Sequence, residues 1–269
     1  MSKLIAKIRQ YPFVSAIAAT ILFFVCNLAF GAIDSTFPEG TIFTLAHELI
    51  YIIWPLALLF LFGQKRAFRW GSLGTAFKAG VFFLLLSVYA IVWRMLSTPA
   101  DAWKPAVDIV IGVIALIGIG LREEVIFRGI VTDLIARKYA TSAKGVYLTV
   151  FGASLLFGAL HMQNLLTGAG LLSILVQSIA AFATGSVFCA IYIRGGSLCG
   201  LLILHSLFDA TSLFNSSFTT ITTQTEILSS FSPEQLGFSA VMLVLTLFLL
   251  RKKKIAGIIE RFQALDNAA

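Results

Sequence analysis

Apolar residues run along this chain in long stretches separated by short polar loops. The stretches near 12–33, 41–63, 79–97, 106–130, 146–163, 170–193 and 197–214 are each long enough, as helices, to cross roughly 30 Å of hydrocarbon. A further run from Leu236 to Leu250 is short. It predicts a span if it starts near Phe231 and the stems of Arg251 and Lys252 snorkel at its far end. The pattern therefore predicts an all-α fold: a polytopic membrane helical bundle of about eight transmembrane helices in a single membrane domain over 1–269. No internal repeat, low-complexity tract or interdomain linker interrupts it.

Composition supports this reading, with 58% hydrophobic and 12% charged residues, the latter about half the share of a soluble domain. Lys and Arg fall in alternate loops. Lys3, Lys7 and Arg9, then Lys65, Arg66 and Arg69, then Arg137, Lys138 and Lys144, then Arg194, and last Arg251 to Lys254 form one set. The other loops carry Asp34 and Glu39, Asp101 beside Lys104, the uncharged 163–168 segment, and Glu226 with Glu234. Basic loops stay in the cytoplasm, so both termini are expected there. The net charge of +7 is then a matter of topology and gives no argument for nucleic acid, since no basic patch interleaved with aromatics accompanies it. The first run is too long for a signal-peptide core and is read as a retained span. Cys26, Cys189 and Cys199 form no C-x-x-C and support neither a disulfide framework nor a zinc knuckle.

Against this background three polar clusters stand out in the second half. Glu123-Glu124-x-x-x-Arg128 lies inside the fourth stretch. On a helix Glu124 and Arg128 stand four apart with the acid first, the favourable order for an ion pair. Glu123 points about 100° away and is left with no such partner beyond Arg122. A desolvated carboxylate beside a second one meets the condition for a general base; the alternative is that both glutamates only tie spans together. The second cluster is Phe157-x-x-x-His161 in the fifth stretch. A helical hairpin turning near 140–143 sets Glu123 and His161 at similar depth, each about 27 Å from the turn. The third is His205-x-x-x-Asp209, whose spacing puts both side chains on one face. Position 205 lies only about 12 Å along its helix from the loop ending at Ser197, so reaching Glu123 requires that loop to be recessed. His47 enters its span roughly 16 Å away in depth from position 123 and is left out of the site. The zincin pattern H-E-x-x-H is absent, because His47-Glu48 continues as Leu49-Ile50-Tyr51.

These clusters, in this order on successive spans, resemble the CPBP family of intramembrane proteases, which includes the type II CAAX prenyl endopeptidases and bacterial abortive-infection proteins. The resemblance covers roughly 106–214, the expected catalytic core. It rests on Glu123 to Gly129, on Leu156-Phe157-Gly158-Ala159-Leu160-His161, and on Gly196-Ser197-Leu198 followed by His205 and Asp209. It implies that Glu123, assisted by His161, deprotonates the water that attacks a peptide carbonyl near the cytoplasmic face. Glu124 and Arg128 then match the supporting acid and base, and His205 and Asp209 the positions that stabilise the oxyanion. Asparagine is common at the last position. An ionised aspartate accepts hydrogen bonds and repels an oxyanion, so Asp209 must be protonated there or act by orienting His205.

No cofactor is expected, since a glutamate-activated water needs no ion. The alternative is one catalytic Zn2+ held by Glu123, His161 and His205, as the family's long description as metalloproteases implies. The implied substrate is a membrane-associated protein or peptide, and the implied location is the lipid bilayer of a bacterial cytoplasmic (inner) membrane. Other classes stay open at this point. A proton-coupled transporter also buries carboxylates and histidines, although paired broken helices in two related halves would be expected of it. Gly195-Gly196-Ser197-Leu198-Cys199-Gly200 superficially resembles a serine nucleophile motif but lacks G-x-S-x-G. A non-enzymatic immunity protein on the same scaffold is the fourth reading.

Overall fold

The computed structural model describes residues 2–34, 41–64, 67–68 and 71–266. Among these, all regular structure is helical apart from two isolated bridges, Ser72 with Gly196 and Trp103 with Thr219. Short α1 (Ser2–Gln10) leads into α2 (Pro12–Asp34) and α3 (Thr41–Leu61). Next come α4 (Leu73–Ala79) and α5 (Val81–Ser97), then α6 (Ala106–Glu124). This last helix continues without a break through a π-helical stretch, Val125–Thr132, into α7 (Asp133–Tyr139). The second half holds α8 (Ala143–Leu160), α9 (Leu171–Ile193), α10 (Leu198–Ser212), short α11 (Phe214–Phe218) and α12 (Gln224–Ser229), then α13 (Leu236–Leu249) and α14 (Lys252–Asp266).

The bundle is all-helical, and the described residues carry three to five candidate membrane spans. Among the described residues, three helices are long and apolar enough to cross a membrane, at Pro12–Ala32, Ala143–Thr167 and Leu171–Ile193. The number rises to five if α4 with α5, bent by 74°, and α13 with α14, bent by 66°, each count as one span. The other predicted stretches fall short for physical reasons. The second forms a helix over Thr41–Leu61, of which Glu48–Leu61 is an apolar segment among the described residues; in the fourth, Asp108, Arg122, Glu123 and Glu124 charge α6 itself. The seventh is a helix of only 15 residues, started by the Ser197 hydroxyl capping Gly200 N–H. Asp34 is described only in its backbone, Glu39 lies outside the described residues, and the His47 side chain does too.

Small residues set the helix spacing where polar groups will meet, as they do wherever apolar lipid gives no drive for association. A Cβ on Gly158 of α8 would stand 2.7 Å from Ser178 O of α9, and one on Gly120 of α6 would stand 2.5 Å from Ser206 Oγ of α10. A Cβ on Gly185 of α9 would stand 2.7 Å from the Phe157 ring. The core gathers around the π stretch and the middle of α9, where Ile126, Ile130, Val187 and Ile191 are fully buried.

The loop before α10 is recessed, as the depth of His205 requires. Ser72 N–H donates to Gly195 O and Ser197 N–H to Ser72 O, at 2.9 and 3.1 Å. Gly195 adopts φ +98°, and a Cβ there would overlap the Arg261 guanidinium of α14. The C-terminal helix thus lies over this loop.

Candidate active site

The π stretch begins at the residue after Glu124. Its wider turn is visible in the side chain of Thr132, whose hydroxyl donates to Phe127 O five residues back at 2.6 Å. Within it Arg128 is the largest fully buried side chain described. Its Nη1 lies 3.0 Å from Glu124 Oε1, its Nη2 donates to Gly185 O at 3.2 Å, and its guanidinium sits 4.9 Å over the Phe157 ring and 5.5 Å over that of Phe188. The expected ion pair forms, and two aromatic faces and a carbonyl share the cation.

Glu124 is not held by Arg128 alone. His205 Nδ1 approaches the same Oε1 at 2.6 Å. The other ring nitrogen, Nε2, faces two further carboxylates: Glu123 Oε2 at 3.5 Å and Asp209 Oδ2 at 3.6 Å. Glu123, expected to have no partner beyond Arg122, therefore turns toward α10, and one imidazole stands among three carboxylates from two helices. Glu124 is sealed, with 0% of its side chain exposed, whereas 15% of Glu123 and 16% of Asp209 remain reachable. Phe188 stacks on the His205 ring at 5.1 Å and closes its other face.

His161 joins this group less directly. Its Nδ1 lies 2.9 Å from Phe157 O; a carbonyl only accepts, so Nδ1 carries the hydrogen and Nε2 keeps its lone pair. The ring packs edge-on to Phe157 at 4.9 Å, and Phe157 in turn reaches the His205 ring at 6.2 Å. The hairpin turn lies where the sequence puts it, between Tyr139 and Ala143. Glu123 and His161 nevertheless make no ion pair or hydrogen bond with each other.

The cluster has a charge imbalance that chemistry can use. Glu123, Glu124 and Asp209 bring three negative charges, and Arg122 and Arg128 two positive ones. In a medium of low dielectric an uncompensated charge is costly. A proton held between His205 Nε2 and Asp209 Oδ2, 3.6 Å apart, offsets one of the negative charges. That proton lies beside the most exposed carboxylate oxygens.

No group of three or more His, Cys, Asp or Glu side chains among the described residues is placed to hold a metal ion. A metalloprotease-like assignment therefore finds no support. Ser197 is no nucleophile candidate either, since its hydroxyl caps α10.

Two contributors escaped the sequence reading. Glu48 of α3 brings its Oε2 within 3.5 Å of where a Gly118 Cβ would stand, one turn before Arg122, whose guanidinium lies 4.9 Å over the Tyr51 ring. A carboxylate inside an apolar stretch was the available signal, overlooked beside His47. Gly120, which lets α10 approach, stands among apolar residues and carries no signal of its own in the sequence.

Compared with known families, residues 105–211 match the model described as type II CAAX prenyl endopeptidase Rce1-like. All the residues of the cluster fall inside that match. No curated protein and no solved structure matches the chain.

Proposed function

We propose, from the premise that residues 105–211 form a type II CAAX prenyl endopeptidase Rce1-like domain, that this integral membrane protein is a glutamate-dependent intramembrane endopeptidase. The match is to a protease family, and the apolar helices put the domain in a bilayer. The observation that carries the finer reading is the partly exposed Glu123 carboxylate, held 3.5 Å from His205 Nε2 beside a sealed Glu124–Arg128 pair.

In this reading Glu123 accepts a proton from water as the oxygen attacks a peptide carbonyl. The carbonyl π electrons move onto its oxygen. His161, with Nδ1–H fixed on Phe157 O, turns its Nε2 lone pair toward that water and orients it. The oxyanion is stabilised by the proton shared between His205 and Asp209. Collapse breaks the C–N bond, and the proton held by Glu123 passes to the departing amine nitrogen. Glu124 and Arg128 position His205 through its Nδ1 and do not touch substrate. No metal ion is needed for these steps, and the substrate is a peptide segment of a membrane-associated protein.

The test is Glu123→Gln, which keeps the side chain's shape and removes the base. Purified and correctly folded, it should lose cleavage by at least about a hundredfold, the usual contribution of a general base. Cleavage near the wild-type rate would sink the assignment.

A further inference from the structure

Two arginines flank the paired glutamates, and they are held very differently. Arg128 faces Glu124 at 3.0 Å. Arg122 has no acid within ion-pair distance among the described residues, because Glu123 and Asp209 turn to His205 and Glu124 is shared by Arg128 and His205. Its Nε is buried and has no hydrogen-bond partner. The guanidinium lies instead 4.9 Å over the Tyr51 ring of α3. A cation inside a helical bundle is costly unless something compensates it, and by default it marks function.

The place of Arg122 in the helix ties it to the acids. It precedes Glu123 by one residue, so the two side chains leave α6 about 100° apart. Glu123 reaches toward α10, where His205 Nε2 stands at 3.5 Å, and Arg122 reaches toward α3. Both neighbours pack closely on this part of α6. A Cβ on Gly120 would stand 2.5 Å from Ser206 Oγ of α10, and one on Gly118 would stand 3.4 Å from the Ile52 side chain of α3. The charge of Arg122 also acts on Asp209, across the cluster. Only its Nε is sealed, since the side chain as a whole is half-buried.

We infer that Arg122 is a specificity-determining residue, which binds a carboxylate of the substrate beside the bond that is cut. The inference rests on the endopeptidase reading above. A guanidinium holds a carboxylate through two parallel N–H···O bonds, a geometry that fixes orientation as well as charge. One negative charge is what this place can take. A doubly charged phosphate would add a second charge facing Glu123 and Asp209, whereas a carboxylate cancels Arg122 and adds no more. The carboxylate is supplied by the C-terminus of the substrate or by an acidic side chain. Because the cation adjoins the base in sequence, binding there also sets which peptide bond lies at Glu123.

The experiment uses matched libraries of apolar peptides: one with a free C-terminal carboxylate, one with that end amidated, and one amidated with a single internal glutamate. Purified wild-type protein should cleave one of the two carboxylate libraries with kcat/KM about tenfold or more above the neutral one, as a hydrogen bond to a charged group provides. Which of the two is preferred identifies the source. Arg122→Gln should lose the preference, and Arg122→Glu should turn it toward an amidated library carrying one internal lysine. Folding is a second readout. Arg122→Gln leaves no buried partner uncompensated, so its thermal unfolding in detergent should not come earlier than that of the wild type. Equal cleavage of all libraries by the wild type, a preference that survives Arg122→Gln, or a marked fall in unfolding temperature overturns the assignment. Glu123→Gln separates it from the reading on which it rests. Cleavage of the libraries by Glu123→Gln would sink the endopeptidase reading, while tighter binding of the carboxylate peptides than of the amides, lost in Glu123→Gln/Arg122→Gln, would still establish the Arg122 site.

Discussion

Removing the Arg128 guanidinium should leave a buried carboxylate uncompensated. Its Nη1 lies 3.0 Å from a Glu124 oxygen whose side chain is wholly buried. At an effective dielectric of about 20, two unit charges at that separation attract by about 5.5 kcal/mol. Desolvation cancels much of this while both charges are present. Truncating one partner leaves the other buried and uncompensated, a change that costs about 3–5 kcal/mol. Arg128→Met keeps most of the volume over Phe157 and Phe188, so the loss it reports is electrostatic. Glu124→Gln/Arg128→Met removes both charges and keeps an oxygen to accept from His205 Nδ1. The double variant should therefore be more stable than Arg128→Met by about 2 kcal/mol or more. Thermal unfolding in detergent, followed by the loss of monodisperse protein, would read the single variant as a fall on the order of 10 °C. Additive effects, with the double variant destabilised by the sum of the singles to within about 0.5 kcal/mol, would refute the claim that the two charges depend on each other.

Gly120→Ala places a methyl 2.5 Å from Ser206 Oγ and 3.3 Å from Ser206 N, forcing α10 outward. A displacement of about 1 Å at the His205 carboxylate contacts should lower the cleavage rate about a hundredfold, and Ser206→Gly should restore much of it; unchanged kinetics in Gly120→Ala would show that this close approach is incidental. If Asp209 donates to the oxyanion it must hold a proton, so activity falls as pH rises through its titration, and Asp209→Asn, which donates at every pH, should extend the alkaline limb of the pH–rate profile. A profile lowered uniformly with no extension would instead mark Asp209 as the acceptor that orients His205. Exhaustive chelation, checked by elemental analysis, should leave an active enzyme; activity lost on chelation and restored by stoichiometric zinc would require a catalytic ion.

The sequence made some of this legible through spacing alone. Four-residue intervals put Glu124 with Arg128 and His205 with Asp209, and both pairs meet. The hairpin turn and the recessed loop followed from counting residues against helical rise. Other features depend on contacts between helices, which a linear pattern does not record. Nothing in the order of residues announced that His205 would bond Glu124 from 81 positions away. It was equally silent on His161 bonding its own helix. A hydropathy window also registers neither the charges that the cluster places on α6 nor the 74° bend between α4 and α5 at Gly80.

The π-helical stretch from Val125 to Thr132 also bears on how this domain tolerates change in length. A π turn holds one residue more than an α turn, so the segment stores an inserted residue inside a helix that stays continuous from Ala106 to Tyr139. Deleting a residue there would let the backbone relax to ordinary α-helix without breaking it. The cost would fall on angle: everything before the deletion would turn about 100° relative to everything after it. Asp133 and Arg137, paired at 2.9 Å, with Arg137 donating to Gln64 at 3.1 Å, anchor the far side. Glu123 and Glu124 would then swing away from His205 while the anchor stayed in place. The extra residue works as a fixed phase offset between the half of the helix that holds the bundle and the half that presents the acids.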